Sequence, residues 1–358
     1  MSALMDATAQ KKRKRDSADE VGGERNCEIE RGAFWYEDGN IVLVAEGKGF
    51  KVYRGILSQL SVVFRDMFSL PQPADADLHE GCPVVCMSDS AQDLLYFLSA
   101  LHDFESKYFN TSEDLTFDEV SAMLRLGSKF EVERIKAEAI RRFKLCFPML
   151  LEDFMTADTV CMLREYADET RYYASTACGI SLSLGDCRAV INLARSFNLE
   201  YLLPAAFYAC AQIPTEQLVL PKYGRIIGGA SWVLSSEDLV LCLNLKEWLN
   251  LTLRENIADC LETVGESWSD CDNSGPNPCM ELKNRILFRL SRVNIGTSAL
   301  LDDAILEDEP LPIDFCGACT SDCRDAYEES RQATWTKLRE RFDPPRVQSV
   351  EGRDPEVG

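Results

Sequence analysis

Apolar residues are distributed unevenly, and their spacing divides the chain into segments. Residues 1–28 show no apolar periodicity and are expected to form a disordered basic and acidic tail. From Phe34 the texture changes. The run Ile41-Val42-Leu43-Val44 predicts a strand, Glu46 to Gly49 a tight turn, and Phe50 with Val52 one face of a returning strand. Leu57, Leu60, Ser61, Phe64, Met67 and Phe68 recur mainly at helical spacing and predict one helix, closed by Pro71 and Pro73. Val84 to Met87 reads as a further strand, followed by a helix through Leu94, Phe97, Leu98 and Leu101 that Ser88 or Ser90 can cap. Thr116 stands three residues before Glu119 in a capping-box arrangement. The helix it opens buries Val120, Met123 and Leu124, and a turn after Phe130 leads to a second helix through Ile135, Ala139 and Phe143. Val42, Phe50, Leu57 and Phe64 are expected to share one interior.

Residues 148–265 read as helical throughout, with turns near Gly179, Gly185, Pro214 and Pro221 to Gly229. Within them lies a repetition: Ala189, Leu193, Phe197, Glu200 and Ala206 align with Ala122, Leu126, Phe130, Glu133 and Ala139 at a constant offset of 67 residues. Duplication and convergence on one helical packing solution both fit. Ser235 or Ser236 is expected to cap a helix beginning near Glu237. Trp232 and Trp248 read as core anchors more readily than as contact residues.

A terminal helix is expected through Tyr327, Gln332, Trp335, Leu338 and Phe342, ending before Pro344-Pro345. Just ahead of it, Cys316-x-x-Cys319-x-x-x-Cys323 sets three thiols within eight residues. Soft thiolates at such spacing suit a structural zinc ion, with Cys271 or Cys279 as the fourth ligand. Three reduced thiols packed against the final helix are the competing reading. Gly317-Ala318 between two cysteines also raises thiol–disulfide exchange, but neither an adjacent cation nor a preceding βαβ pattern supports a redox enzyme.

Composition narrows the chemistry. A formal net charge of -21 over 358 residues disfavours direct nucleic-acid binding unless a local basic face overrides the acidic average. The 15 cysteines are odd in number and sit in apolar helical segments, so a reducing compartment fits better than a disulfide framework. With only His79 and His102, multi-histidine metal sites are excluded. Each histidine adjoins an acid, an adjacency that is usually surface chemistry. Neither a phosphate loop nor a GxSxG elbow occurs, no catalytic residue is assigned, and no membrane span is expected. The cationic run Lys11, Lys12, Arg13, Lys14, Arg15 reads as a nuclear-import signal, with a solubilising tail as its competitor.

The N-terminal third resembles the BTB, or POZ, domain family, in the form found in many fungal proteins. The likeness starts at Asp38-Gly39-Asn40-Ile41-Val42-Leu43-Val44 and continues through Phe50-Lys51-Val52-Tyr53-Arg54-Gly55-Ile56-Leu57-Ser58. It includes Ser61-Val62-Val63-Phe64-Arg65-Asp66-Met67-Phe68 and the later pair of helices around Leu126, Phe130 and Val132. At Tyr53-Arg54 the family commonly has His-Lys. The resemblance implies an α+β domain, a small sheet beside helices, that forms homodimers or docks other proteins, in some relatives a cullin-type ubiquitin ligase scaffold. It makes Phe34, Trp35 and Tyr36 candidate contact residues, with packing against their own sheet as the alternative.

The resulting expectation is a BTB/POZ domain at 29–147, a helical domain at 148–265, a Cys-containing subdomain at 266–343 and a flexible tail at 344–358. Its expected role is that of a nuclear, non-enzymatic protein-interaction adaptor or regulator. A cullin-type substrate adaptor is the alternative.

Overall fold

The computed structural model describes residues 29–71, 77–102, 107–110, 113–157, 179–220, 225–227, 230–265, 278–290, 292, 296–297, 299–300 and 315–342. The tails expected at 1–28 and 344–358 lie outside these residues.

The sheet grows from the Ile41–Val52 hairpin. Strands β2 (Ile41–Ala45) and β3 (Lys48–Val52) pair antiparallel across a turn in which Glu46 and Gly47 both take positive φ. Strand β1 (Glu30–Trp35) adds parallel to β3, and β5 (Cys82–Cys86) parallel to β2, with the short β4 (Leu78–His79) beyond it. The order is therefore β1-β3-β2-β5-β4. Side chains alternate across this sheet. Ile41, Leu43 and Phe50 join Leu57 and Phe64 in the main core. Val42 is fully buried too, but it faces the other side, beside Gly49 and Trp35. The expected shared interior thus holds for Phe50, Leu57 and Phe64 and fails for Val42, a neighbour of Leu43 on the same strand.

The single helix expected over Leu57–Phe68 is two: α1 (Arg54–Leu60) and α2 (Val62–Ser69). Ser61 breaks them. Its backbone is extended, and its hydroxyl accepts from the Phe64 amide while donating to the Phe130 carbonyl at 2.6 Å. One buried serine thereby caps a helix and ties it to a turn 69 residues away. Phe64 and Phe130 stack directly above, 4.6 Å between centroids.

Helix α3 (Ala91–Leu101) is capped by Ser90, and Asp93 in its first turn receives both arms of Arg125 at 2.6 and 2.8 Å. The short β6 (Leu115–Thr116) leads into α4 (Phe117–Lys129), which opens with the expected capping box and turns at Phe130–Val132 into α5 (Glu133–Cys146). Arg142 of α5 is fully buried and donates to the carbonyls of Tyr108, Asn110, Glu113 and Gly179 as well as to Glu138. Gly179 belongs to the next region, where β7 (Ile180–Ser181) pairs parallel with β6.

That next region is mainly but not wholly helical. It holds α6 (Leu151–Thr156), α7 (Asp186–Ser196), a 3-10 turn at Glu200–Leu202, α8 (Leu203–Gln212), α9 (Thr215–Val219) and the long α10 (Ser236–Glu262). Besides β7 it carries a hairpin, β8 (Arg225–Ile227) with β9 (Ala230–Trp232), where turns alone were expected. The β-branched Ile226 and Ile227 favour extension. Ser235 caps α10 as expected.

Helix α11 (Pro278–Leu290) follows, then α12 (Gly317–Glu340), which returns to the rest of the molecule. Trp335 stacks on Phe154 and donates to the Met149 carbonyl at 2.8 Å, while Phe342 stacks on Phe207. The buried stripe of α12 runs Cys319, Cys323, Tyr327, Arg331, Thr334, Trp335, Leu338, which leaves Gln332 exposed. The chain is of mixed α+β class, a small curled sheet followed by mainly helical structure, with one continuous buried core.

Candidate functional site

Three helix ends meet where the cysteines gather. Helix α10 ends close to the start of α11: Lys283 donates to the carbonyls of Glu262 and Val264, filling acceptors that the helix end leaves open. Cys279 is the second residue of α11, and Cys316 is the N-cap of α12 with Cys319 in its first turn. The sulfurs of Cys279, Cys316 and Cys319 all lie within 4.8 Å of one another, with Cys279 and Cys319 buried and Cys316 partly so.

The donor set suits a thiophilic ion on two further grounds. The Cys316 amide donates to the Cys279 sulfur at 3.4 Å, which ties the start of α12 to the start of α11. Two helix N-termini converge on the trio, and their partial positive charge stabilises anionic sulfur. This buried cluster can hold a metal ion.

Sequence spacing placed Cys316, Cys319 and Cys323 together. The structure instead joins Cys279 to the first two and sets Cys323 one turn further along α12, its sulfur 2.8 Å from that of Cys260. Cys271, the other candidate ligand, lies outside the described residues. Cys260 escaped sequence reasoning because it sits inside the apolar pattern of α10, 63 residues from its partner, with no local motif to mark it. Within the pair, the hydrogen bond between the sulfurs, reinforced by burial, raises the Cys260 thiol, and the same bond lowers Cys323 despite burial.

The cysteines of the middle region behave differently. Burial pushes Cys187 and Cys210 far up and Cys242 to about 12, so these thiols stay protonated and inert at neutral pH.

Phe34, Trp35 and Tyr36 lie along the edge strand β1 and just beyond it, each half-buried. Phe34 and Tyr36 face His102 of the α3 C-cap, with centroids 5.4 and 5.7 Å away. Trp35 meets His79 edge-on at 5.7 Å under Arg31, and its indole N–H finds no acceptor among the described residues. Each ring has an intramolecular partner and retains some exposed surface. His102 is buried, with Nδ1 2.9 Å from the Leu98 carbonyl, and the rings of Phe34 and Tyr36 pack against it. Lys11, Lys12, Arg13, Lys14 and Arg15 lie outside the described residues. Among those described, no helix is long and apolar enough to cross a membrane.

No family model matches this chain, and no curated protein is significantly similar to it.

Proposed function

We propose that this chain is a non-catalytic protein-interaction adaptor or regulator whose N-terminal unit, 29–147, is a BTB/POZ domain. The observation that carries this reading is the ordered motif series from Asp38 to Phe68, set in a small mixed sheet with helices packed on it. The edge strand β1 supports it. Its outer side is free for pairing among the described residues, and the half-exposed rings of Phe34, Trp35 and Tyr36 offer apolar anchors beside it. Recognition then proceeds by burying these rings against a second copy or a client, with the surrounding charged residues selecting orientation. The Lys11 to Arg15 run directs the chain to the nucleus.

We also infer that Cys279, Cys316 and Cys319 bind a structural zinc ion, which would pin the start of α12 to the start of α11. The ion would contribute folding energy rather than chemistry on a substrate.

Native mass spectrometry of the full chain tests both readings. A homodimer carrying one zinc per chain is expected, and a zinc-free monomer would refute them. Cross-linking from cells reads the partner. Recovery of a cullin would move the chain to the ligase-adaptor class, whereas a stable dimer without one supports the regulator. Replacing all five N-terminal cations should relocate the protein to the cytoplasm.

A further inference from the structure

Helix α12 lies antiparallel along α10, and three contacts follow one another down the pair. The Arg341 guanidinium rests over the Trp248 ring at 4.4 Å, the Asn256 side-chain amide donates to the Thr334 hydroxyl at 3.1 Å, and the sulfurs of Cys260 and Cys323 meet at 2.8 Å. Only the last of these can become covalent. We propose that Cys260 and Cys323 form an oxidation-sensitive dithiol, which a peroxide converts into a disulfide that staples α12 to α10.

The spacing of the sulfurs supplies the first argument. Zinc–sulfur bonds of about 2.3 Å in a tetrahedron set sulfurs about 3.8 Å apart, so a 2.8 Å contact leaves no room for an ion between the two. The pair is thus separate from Cys279, Cys316 and Cys319, and the proposal does not depend on the zinc reading above. A disulfide bond is about 2.05 Å long, so the two sulfurs need to close by only about 0.8 Å. The thiols already touch, and neither helix has to be brought to the other. Cys260 is fully buried and Cys323 is 4% exposed, which keeps a second chain from either sulfur and confines the reaction to a small oxidant.

Exposure also orders the chemistry. Cys323 keeps what little access the pair has, so it meets the peroxide first. Its sulfur attacks the O–O bond and takes one oxygen as a sulfenic acid, while the other oxygen leaves as water with the thiol proton. The Cys260 sulfur then attacks that of Cys323, the S–O bond breaks, and a second water departs with the Cys260 proton. Two electrons and two protons pass from the pair to one peroxide. The new bond closes a loop spanning 63 positions and so restricts the unfolded chain. It also secures a helix whose far end stacks Trp335 on Phe154 and leads to Phe342 on Phe207, so oxidation holds the C-terminal helix on the rest of the molecule.

Peroxide treatment of the reduced full-length chain tests this, at a dose that oxidises the exposed Cys86. The protein is then alkylated and its peptides are mapped by mass spectrometry without reduction. A peptide joining Cys260 to Cys323 is expected, one that dithiothreitol separates, together with a rise of about 5 °C in the thermal midpoint. In Cys260→Ser the sulfenic acid should persist on Cys323, where dimedone traps it, and the midpoint should not rise. The wild-type map requires no variant to fold. Recovery of Cys260 and Cys323 as free thiols, or of Cys323 joined to Cys319 or any other cysteine, would overturn the proposal. A joined Cys260–Cys323 peptide with no rise in midpoint would overturn the staple.

Discussion

The helical hairpin α4–α5 and the segment from α7 to α8 use one local solution twice. Thr116 and Glu119 cap the first: the Thr116 amide and hydroxyl donate to Glu119 at 2.7 and 3.0 Å. At an offset of 67 residues, the amide and hydroxyl of Ser183 donate to Asp186 at 2.7 and 2.8 Å. Both first helices stop at a phenylalanine, Phe130 or Phe197, and both turns place the next residue at positive φ, 51° at Glu131 and 54° at Asn198. Both close with a 2.8 Å amide-to-carbonyl bond, Val132 to Gly127 and Leu199 to Ala194. This is the geometry by which a helix satisfies its last carbonyls. The two differ in what they bury. Where the first carries Arg142, the second carries Ala209, and where the first carries Gly127, the second carries Ala194. Shared caps and turns set the local shape, and these unshared residues set what each hairpin holds together.

Arg142 marks the largest contrast. Its guanidinium collects four carbonyls and Glu138 in a site closed to water, and one of those carbonyls, Gly179, opens the second region. Arg142→Met leaves these acceptors buried without a donor and is expected to cost about 3–5 kcal/mol. Ala209→Gly, at the matching position in α8, should cost only about 1 kcal/mol. Urea denaturation of both variants measures the difference, and equal losses would mean that Arg142 is not the tie between the regions.

Gly127 comes next. A Cβ there would meet the Lys136 backbone nitrogen at 2.9 Å, so α4 and α5 cross at a separation only glycine allows. Gly127→Ala is expected to destabilise by about 1–3 kcal/mol through overpacking against backbone that cannot yield. The reverse change in the second hairpin, Ala194→Gly, should cost about 0.5–1 kcal/mol through helix propensity alone. A thermal melt showing Gly127→Ala as stabilising would place the two helices further apart than the structure does.

The two halves of this comparison were unequally legible in the sequence. Thr116 with Glu119 is a pattern of local polar residues, and local patterns specify caps and turns directly. The offset alignment exposed the repeated hairpin because apolar spacing and the turn phenylalanine are sequence-near. The break at Ser61 was hidden, since the helix period runs straight across it and the deciding bond goes to Phe130. Strand β1 and the β8–β9 hairpin were missed because each depends on a distant or short partner rather than on its own alternation. At the cysteine junction, Cys316 and Cys319 were legible from spacing, and Cys279 as one of two choices. The displacement of Cys323 toward Cys260 depended on how α10 lies along α12, which no local spacing encodes.

Acid should weaken the first cap. Burial alone would raise Glu119, but the Thr116 amide, Lys107 and the Thr116 hydroxyl together hold its carboxyl below the ordinary value of 4.5. A depressed folded value means that Glu119 contributes stability above pH 4.5, and that this contribution fades as pH falls through the folded value. Glu119→Gln should therefore flatten the acid limb of the stability profile while also lowering its neutral plateau. The protection factor of the Thr116 amide, taken relative to its intrinsic exchange rate, should fall on acidification in the wild type. A profile of the Gln variant parallel to the wild type would remove Glu119 from the acid response.

The smallest effect isolates the turn. Glu131 and Asn198 both occupy the left-handed region, where a side chain with a Cβ is strained and asparagine is tolerated better than glutamate. Glu131 is exposed, so its replacement removes little else. Glu131→Gly is expected to stabilise by about 0.5–1 kcal/mol, the relief of strain exceeding the added entropy of the unfolded chain. Asn198→Gly should change stability by only a few tenths of a kcal/mol. Because both turns share the closing amide-to-carbonyl bond, any difference between these variants reports the residue in the turn rather than the turn itself. Equal gains would show that the surrounding helices, and not the side chain at the left-handed position, set the strain in each hairpin.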